Sequence, residues 1–568
     1  MRRRKFLKGL AATSVLPFVT QNTQAQKLSQ GYKPQKILTG KEFFLDIDYL
    51  SVNFTGDNAV ATAINEQVSG PVLVWQEGET VTIHVTNHMK KSTSIHWHGI
   101  ILPYTMDGVP GLSYDGIAPG ETFTYRFKVQ QYGTFWYHSH TGFQEQSGLY
   151  GTIVIKPKNK EPFEFDQDYV IQLSDWSDEE PDTIYKKLKQ KSDYYNFSER
   201  TTGDFFEEVK EHGLFSAFSD RKMWNEMRMS DRDISDVTGY TYTYLMNGIP
   251  PSKQFKALFK KGEKVRLRFI NSSAMTFFDI RIPGLKMKVV AADGNYVQPV
   301  NIDEFRIGVA ETYDVIVEPE DNKTYAIFAQ SIDRSGYALG ALTQNISKDA
   351  KAPEMDPMPV LTHLDMGMAM GMSNKGQMKC GADMKMPKKQ NKQPHKYPIT
   401  ELPMKRGVGT TMSSQSPQYR LDDPGVGLRD NGRKVLTYAD LKNIYSTAHY
   451  RKPDREIILH LTGNMERYMW SINGIKYADS QPIIFHYGEC VRVTFINDTM
   501  MNHPMHLHGM WSDLETGDEN HLVRKHTVIV QPGSKISYRV NVDAMGRWAY
   551  HCHMLYHMVG MFREVKVI

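Results

Sequence analysis

The segment Gly488–Asn497, which reads GECVRVTFIN, is one of three related segments in this chain of 568 residues. The others are GETVTIHVTN at Gly78–Asn87 and GEKVRLRFIN at Gly262–Asn271. Each is a turn followed by residues that partly alternate between apolar and polar, which is typical of a half-buried β-strand. The three copies predict three domains built on one β template.

A His-X-His pair follows the first and the third of these segments. In both places the first histidine, His96 or His506, stands nine residues after the final Asn. The middle copy has Ile280-Arg281-Ile282 at that distance. The middle domain is therefore expected to share the template and to lack the histidines.

A second repeat leads to two more pairs. The glycines of Pro119-Gly120 and Pro532-Gly533 each stand 18 residues before a histidine, His138 and His551. Four clusters thus hold ten of the twenty histidines: His96-Trp97-His98, His138-Ser139-His140, His503-Pro504-Met505-His506-Leu507-His508 and His551-Cys552-His553-Met554-Leu555-Tyr556-His557.

The clusters predict a copper protein. Neutral imidazoles and a thiolate are ligands that suit copper, and two histidines with one cysteine and a weak axial methionine describe a blue electron-transfer site. In a strand, residues i and i+2 face the same side, so the pairs from two domains are expected to converge at one interface. The alternative is a set of core histidines that only form hydrogen bonds.

Short strands separated by Gly, Pro and Asn turns predict an all-β fold of three β-sandwich domains, at 40–160, 165–345 and 398–568. The charged, strand-poor residues 179–235 are predicted to form a helical insertion in the second domain. Residues 346–397 are rich in Lys, Pro, Gly and Met and are predicted to be a flexible linker before the third.

The N-terminal residues 1–25 are predicted to be a twin-arginine signal peptide and to direct the protein to the periplasm. Arg3-Arg4-Lys5-Phe6-Leu7-Lys8 fits the signal pattern, an apolar run follows, and Thr23-Gln24-Ala25 is a plausible cleavage site. An ordinary secretory signal or a retained tail is the alternative. Removing the five basic groups of this segment changes the formal charge from +4 to −1, so nothing indicates binding to nucleic acid or a membrane surface.

The chain resembles the multicopper oxidases, and more narrowly the periplasmic copper-resistance oxidases of the CopA type. The four clusters carry the wider resemblance. The narrower one rests on further motifs: Ser174-Asp175-Trp176, Ser192-Asp193-Tyr194-Tyr195-Asn196, Gly239-Tyr240-Thr241-Tyr242, Leu245-Met246-Asn247-Gly248, Ile282-Pro283-Gly284-Leu285, and the run from Leu461 to Trp470. The resemblance implies cupredoxin-like domains, four copper ions, and oxidation of a substrate with reduction of O2 to water.

The resemblance also implies the copper ligands. His503, Cys552 and His557 would hold the type 1 copper, and His96 and His506 the type 2 copper. The type 3 pair would be held by His98, His138 and His553 on one ion and by His140, His508 and His551 on the other. Because Cys552 lies between His551 and His553, the backbone there would be a short covalent path for electrons.

The axial ligand departs from the family pattern. The family usually has methionine ten residues after the cysteine, where this chain has Phe562, whereas Met561 stands nine residues after it. Met561 is the expected axial ligand, with Met558 or no ligand as alternatives. Loss of a weak axial ligand would tune the potential without abolishing copper binding.

Asp107, in Met106-Asp107-Gly108-Val109-Pro110, matches the family's acid near the three-copper site. We expect it to donate or relay protons. An aspartate before glycine is also typical of a turn, and the two roles are compatible.

Two groups of residues are candidates for binding substrate copper. The first is the Met-rich segment, where Met366, Met368, Met370 and Met372 alternate with small residues, since thioethers select Cu(I). The second is Asp498, Met500 and Met501, just upstream of His503. Incidental methionines in a linker, and packing at a strand end, are the respective alternatives.

The expected function is Cu(I) oxidation coupled to O2 reduction in copper resistance, with phenols as further substrates. The alternatives are a copper-sequestering or delivery protein with secondary oxidase activity, and a phenol-oxidising laccase. A periplasmic copper carrier or an outer-membrane copper-resistance protein would be a partner, and a monomer is expected.

Overall fold

A computed structural model of the protein describes residues 35–227, 229–367 and 397–568. The predicted signal peptide and three of the candidate methionines, Met368, Met370 and Met372, lie outside the described residues.

The first domain consists of two sheets. The strands are β1 (Ile37–Thr39), β2 (Glu42–Val52), β3 (Ala59–Ile64), β4 (Val72–Gln76), β5 (Thr80–Asn87), β6 (His96–His98), β7 (Thr122–Lys128), β8 (Gly133–His138) and β9 (Tyr150–Lys156). The sheet orders are β1-β4-β9-β8-β6 and β3-β2-β5-β7. In β2, Phe43, Leu45 and Ile47 are buried and alternate with exposed residues, so that one face packs against the other sheet.

The second domain has the same two-sheet plan. Its strands are β10 (Gln167–Trp176), β11 (Thr243–Met246), β12 (Phe255–Leu258), β13 (Val265–Asn271), β14 (Phe278–Arg281), β15 (Met287–Ala292), β16 (Asn295–Ile302), β17 (Glu304–Ile307), β18 (Thr312–Val317), β19 (Tyr325–Ser331) and β20 (Tyr337–Thr343). The orders are β11-β10-β13-β18-β15-β16 and β12-β20-β19-β14-β17.

The third domain repeats the plan again. Its strands are β21 (Ile399–Thr400), β22 (Gln418–Tyr419), β23 (Arg455–Asn464), β24 (Met469–Ile472), β25 (Ile483–Phe485), β26 (Cys490–Asn497), β27 (His503–Leu507), β28 (Ser512–Leu514), β29 (Val523–Lys525), β30 (Thr527–Val530), β31 (Ser534–Asn541), β32 (Gly546–Cys552) and β33 (Phe562–Val567). A short helix, α4 (Leu555–Met558), lies between β32 and β33; helices α1 to α3 belong to the insertion described below. One sheet runs β21-β23-β26-β31-β28-β29, with β22 on β31 and β24 on β23, and the other runs β25-β33-β32-β27-β30.

The three repeated segments occupy the same place in the three domains. They form β5, β13 and β26, each with a parallel neighbour on one side (β2, β10, β23) and an antiparallel neighbour on the other (β7, β18, β31). The predicted all-β fold of three β-sandwiches is therefore confirmed. The histidine-bearing strands β6 and β27 correspond to β14, which carries Ile280 and Arg281 instead.

The predicted helical insertion contains three helices, α1 (Pro181–Gln190), α2 (Thr202–His212) and α3 (Leu214–Met227). Thr201 and Asp204 form a capping box at the start of α2. Among the helices in the described part of the chain, none has the length and apolarity needed to cross a bilayer.

The described part of the predicted linker, residues 346–367, packs against the rest of the protein. Leu361 and Met366 are buried in the core, and the Leu361 N–H donates to the carbonyl of Asp231. Because Met366 is fully buried, it lies apart from solvent and is not placed to take up copper there.

Candidate metal centres

Nine buried or nearly buried side chains from β6, β8, β27, β32 and their flanking residues converge between the first and third domains. Three sets of histidines each bring one ring nitrogen per residue within 4.8 Å of the others: His96, His98 and His506; His98, His138 and His553; His140, His508 and His551. Asp107 forms a further set with His96 and His508. The structure thus brings together all eight histidines predicted at the three-copper site.

A separate group lies beside it in the third domain. The Sγ atom of Cys552 is 3.5 Å from Nδ1 of His503 and 4.0 Å from Nδ1 of His557, and these two nitrogens are 3.3 Å apart. All three side chains are buried. The predicted His2Cys set is therefore one compact cluster, and Cys552 connects it covalently to His551 and His553.

The outer nitrogens of this cluster are fixed by hydrogen bonds. Nε2 of His503 lies 2.7 Å from the hydroxyl of Thr499, and Nε2 of His557 lies 2.7 Å from Oδ2 of Asp236. With a proton on Nε2, each ring directs the lone pair of Nδ1 towards Cys552. This tautomer leaves Nδ1 free to bind a metal ion beside Cys552.

Several histidines of the larger group are arranged in the opposite sense, with Nε2 directed inward. Nδ1 of His508 donates to Oδ2 of Asp107 at 2.9 Å, and Nδ1 of His551 donates to the carbonyl of Cys552 at 3.0 Å. The Nε2 atoms of these two residues then face each other at 3.0 Å. Similar Nε2–Nε2 contacts of 3.3 Å join His140 to His551 and His138 to His553. Lone pairs at such distances repel each other unless a cation lies between them.

Buried ring nitrogens without a hydrogen-bond partner among the described residues indicate the same centre. They are Nε2 of His96, Nδ1 of His98 and Nε2 of His506. A buried polar atom with no partner costs free energy, so three in one place need an explanation. Copper ions bound by neutral imidazoles would satisfy all three atoms, and the residues present therefore fit copper.

Burial lowers the pKa of eight of the ten histidines in the two groups. It is the largest cause of a lowered pKa, and repulsion from neighbouring imidazoles adds to it for the residues whose pKa falls well below the ordinary value: His98, His138, His140, His503, His506, His508 and His553. The pKa of His551 falls to about 4, again mainly through burial. Neutral histidine is the form that binds a metal.

Asp107 connects the two sides of the larger group. Its carbonyl accepts a hydrogen bond from Nδ1 of His96 at 2.7 Å, and its carboxylate accepts one from His508. It also ends a turn of 3-10 helix at Tyr104–Met106, and a Cβ on Gly108, which has φ +82°, would lie 1.8 Å from the carbonyl oxygen of Ile95. Asp107 thus forms part of a turn and also contacts histidines of the larger group.

The antiparallel pairing of β32 with β33 determines which residue faces Cys552. His551 lies opposite Phe562, and their rings are stacked with centroids 5.5 Å apart. The next pair is Cys552 and Met561, joined by a hydrogen bond of 3.0 Å from the Cys552 N–H to the Met561 carbonyl. Because facing residues of two strands point to the same side of the sheet, Met561 lies on the side of Cys552, fully buried, and Phe562 on the side of His551.

Sequence reasoning missed three buried residues that contact these groups. Asp236 touches His557; Glu145 places Oε2 2.9 Å from Nδ1 of His138; and Nδ1 of His526 lies 3.1 Å from Nε2 of His98. Burial raises the pKa of Glu145 well above its usual range, and the charge of Asp175 adds to the effect.

The candidate substrate residues upstream of His503 are buried and already engaged. The carboxylate of Asp498 accepts hydrogen bonds from the Ser414 N–H at 2.7 Å and from Nδ1 of His460 at 2.7 Å. Met500 and Met501 are each 1% exposed and pack in the core. This group is therefore near His503 but closed to solvent, as a packing role at a strand end requires.

Comparisons with known proteins agree with this geometry. Three models of the multicopper oxidase family match residues 46–160, 167–347 and 450–568. The chain is 52% identical to copper resistance protein A of Escherichia coli over 603 aligned positions, which cover 100% of this chain and 99% of that protein. It is 30% identical to the multicopper oxidase MmcO of Mycobacterium tuberculosis, over 88% of this chain and 82% of that protein.

Solved structures with low sequence identity share the fold. The multicopper oxidase Fet3p, described as functioning in iron import, superposes with a TM-score of 0.64 at 19% identity, over 93% of this chain and 90% of that one. A laccase from Botrytis aclada superposes with a TM-score of 0.62 at 20% identity, over 94% of this chain and 88% of that one. The three β-sandwiches are thus cupredoxin-like.

Proposed function

The chain belongs to the multicopper oxidase family, and we propose that it oxidises Cu(I) with O2 in a copper-resistance system. Membership implies four copper ions, one of type 1, one of type 2 and a type 3 pair. When bound, these ions take up electrons singly from a reducing substrate and pass four of them to O2, which gives water. The observation that carries the oxidase proposal is the convergence of ten histidines and Cys552 into two adjoining groups.

We assign the ligands on the same grounds. His503, Cys552 and His557 would hold the type 1 copper, and His96 and His506 the type 2 copper. His98, His138 and His553 would hold one type 3 ion, and His140, His508 and His551 the other. The inward lone pairs, the unpartnered nitrogens and the Nε2–Nε2 contacts support this distribution.

Met561 is proposed as the axial ligand of the type 1 copper. Its support is the strand pairing, which places it beside Cys552 and directs Phe562 towards His551 instead. The deletion of one residue relative to the family pattern is thereby absorbed in the turn between α4 and β33. Met558, which is only partly buried, has no comparable position opposite Cys552.

Asp107 is proposed to supply protons for the reduction of O2. It is buried, it touches histidines of both terminal domains, and a carboxyl group at such a place can hold and release a proton at hydrogen-bond distance.

A role in copper resistance is supported by the name of the relatives that are 52% identical over the whole chain, and Cu(I) is the substrate that we propose for such a role. A periplasmic location and export by a twin-arginine signal are part of the same proposal, supported by the sequence of residues 1–25. A copper carrier in the same compartment would supply the substrate.

The test is O2 uptake by the copper-loaded protein with Cu(I) as the only electron donor. We expect consumption of one O2 for every four Cu(I), well above the rate of autoxidation without protein. A matched sample of the Cys552→Ser variant, which lacks the thiolate of the type 1 site, should show only the background rate. Wild-type uptake at the background rate would refute the proposal, whereas uptake with phenols alone would identify a laccase.

A further inference from the structure

A cavity of about 420 Å³ lies where the three domains meet. The first domain contributes Glu77 and the turn 130–132 between β7 and β8, and the second contributes Asn295 and Tyr296 at the start of β16. The third contributes residues between 443 and 450 and side chains of β28, β29 and β31. Cavities of this size at domain junctions are typical binding sites for small organic molecules. None of the proposed copper ligands is among the described residues that line it.

A narrow gap separates this cavity from the larger histidine group. Ile101 and Trp511 line both spaces, and the gap is also lined by His96, His506 and His526. The volume of the gap is about 10 Å³, which is room for about one water molecule. A molecule larger than water in the cavity therefore stays on the outer side of the gap, and the cavity is a site distinct from the metal centre.

Aromatic rings form much of the cavity wall. The rings of Tyr132 and Tyr296 come from different domains and are stacked with centroids 4.5 Å apart. The guanidinium of Arg524 lies over the ring of Tyr450, 5.4 Å from its centroid. Trp511 is half-buried in the same wall. Such rings suit a ligand with both apolar and polar groups, because the ring face packs against C–H groups while the hydroxyl or N–H at its edge forms hydrogen bonds.

Several hydrogen-bond donors of the wall are unused. Among the described residues, no group accepts a hydrogen bond from the indole N–H of Trp511, the side-chain NH2 of Asn443 or the hydroxyl of Tyr132. Asn443 is 8% exposed, so an unpaired amide group there costs free energy. Arg524 uses only its Nε–H group, which donates to Asp513 at 3.0 Å. A ligand rich in hydroxyl groups would satisfy these donors, because each hydroxyl oxygen accepts hydrogen bonds and its proton can be donated.

Polar groups of the first and third domains face each other across the cavity. Burial, together with the nearby Tyr445 and Glu77, raises the pKa of Tyr132 to about 12, and Arg524 acts in the opposite direction. Electrostatic interactions weaken with distance, so these groups lie near the hydroxyl of Tyr132. A ligand in contact with Tyr132 can therefore form hydrogen bonds with both domains.

The charges of the lining favour a neutral ligand. The three carboxyl groups of Glu77, Asp513 and Asp543 outnumber the single guanidinium of Arg524, which disfavours an anion. A cation is disfavoured as well, because Arg524 already occupies the face of Tyr450 on which a cation would bind.

We propose that this cavity binds a neutral saccharide of one or two rings. The C–H groups of the sugar pack against the tyrosine rings. Its hydroxyl groups accept hydrogen bonds from Trp511, Asn443 and Arg524 and donate to the carboxylates of the lining. The sugar is bound without being oxidised or cleaved, so this is a binding function in addition to the oxidase function proposed above and does not depend on it.

The binding test is isothermal titration calorimetry of the copper-loaded full-length protein with cellobiose and with maltose. We expect a Kd on the order of 1 mM or tighter for at least one of them. Tyr132→Ala should weaken this binding about tenfold or more, whereas Tyr132→Phe, which keeps the ring, should retain most of the affinity. Tyr240→Ala removes an exposed tyrosine outside the cavity and is the matched control, with wild-type affinity expected. Copper content and blue absorbance show whether each variant has folded.

Two further measurements test the charge and the place of the ligand. Glucuronate differs from glucose by a carboxylate and should bind more weakly than glucose. Crystals soaked with the tighter disaccharide should show a sugar ring beside Tyr132 and Trp511. The proposal would be overturned by the absence of binding of either disaccharide at tens of millimolar, by equal affinity of wild type and Tyr132→Ala, by glucuronate binding as tightly as glucose, or by sugar density only outside the cavity.

Discussion

Several histidines of the two groups are oriented by what their outer nitrogen touches. Asp107 and Asp236 accept hydrogen bonds from His508 and His557, and a carboxyl oxygen of Glu145 lies 2.9 Å from Nδ1 of His138, so that three acidic side chains contact three imidazoles from outside. Such outer partners fix the tautomer and the direction of the ring, and their loss lowers metal affinity or activity. We therefore expect the residues that contact the outer nitrogens to matter for metal binding, as the histidines themselves do.

Asp107→Asn tests the proton role separately from the positioning role. The amide oxygen can still accept the hydrogen bond from His508, but the side chain can no longer hold an exchangeable acidic proton. We expect normal copper content and normal EPR signals, with kcat for O2 reduction lower by about 10²-fold. A variant with full turnover would show that protons reach the centre by another route.

Met561→Leu tests the axial position. Leucine fills a similar volume but donates no electrons, and Cu(II) loses more from this than Cu(I), so the reduction potential of the type 1 copper should rise while the blue colour remains. Redox titration of the absorbance measures the shift. Met558→Leu is the matched control, and a larger shift in that variant would assign the axial role to Met558.

At the level of elements, the strands that carry the ligands were predictable because their spacing is regular. The pairs at His96 and His506 follow a repeated strand by nine residues, and the structure forms β6 and β27 there. Asp236, Glu145 and His526 were not predictable, because they lie in a loop, a turn and a strand end that follow no repeat. Their contacts with the histidines arise from packing between domains, which single-chain spacing does not encode.

The packing of Asp498, Met500 and Met501 shows the same limit. Their position close to His503 along the chain suggested a binding site for substrate copper, whereas in the structure His460 and Ser414 contact the carboxylate and both methionines pack in the core.

The buried carboxyl group of Asp233, in the segment after α3, makes the stability of the folded protein depend on pH. Burial, with the nearby charge of Asp236, raises the pKa of Asp233 to about 8, compared with about 3.9 for an unfolded aspartate. Because the folded pKa is the higher one, stability is lost as the pH rises from the unfolded value through the folded value. The loss is on the order of 5 kcal/mol at pH 9 and about 1–2 kcal/mol at pH 5.

Asp233→Asn should therefore raise the melting temperature more at pH 9 than at pH 5, in protein without added Cu(I). Calorimetry or fluorescence at both pH values measures this difference. Asp303→Asn, at a surface ion pair with Lys286, is the control and should show no comparable increase at pH 9. An equal gain for Asp233→Asn at both pH values would mean that the carboxyl group titrates normally.

For the molecule as a whole, the middle domain contacts residues of the third domain that hold the larger histidine group. Its Asp293 and Glu311 each lie 3.0 Å from Nζ of the fully buried Lys525 of the third domain. Oδ2 of Asp293 also accepts hydrogen bonds from the N–H groups of His526 and Thr527. The carbonyl of His526 in turn accepts the Nδ1 proton of His506 at 2.5 Å.

Asp293→Asn should weaken this support. It removes one partner of Lys525 and loosens the backbone that orients His506, so we expect about 10–100-fold weaker retention of the type 2 copper, with the type 1 copper unaffected. Copper analysis and EPR after dialysis against a chelator measure the two ions separately. Equal losses of both signals would instead indicate general unfolding, and full retention would contradict the role given to Asp293.

The ligands of the larger group come from opposite ends of the chain, His96 to His140 on one side and His506 to His553 on the other. A ribosome therefore releases the first four of them hundreds of residues before the last four exist. On the proposed ligand assignment, the three-copper centre is incomplete until residue 553 has been synthesised. Uptake of these coppers would then require that the first and third domains are both folded and in contact.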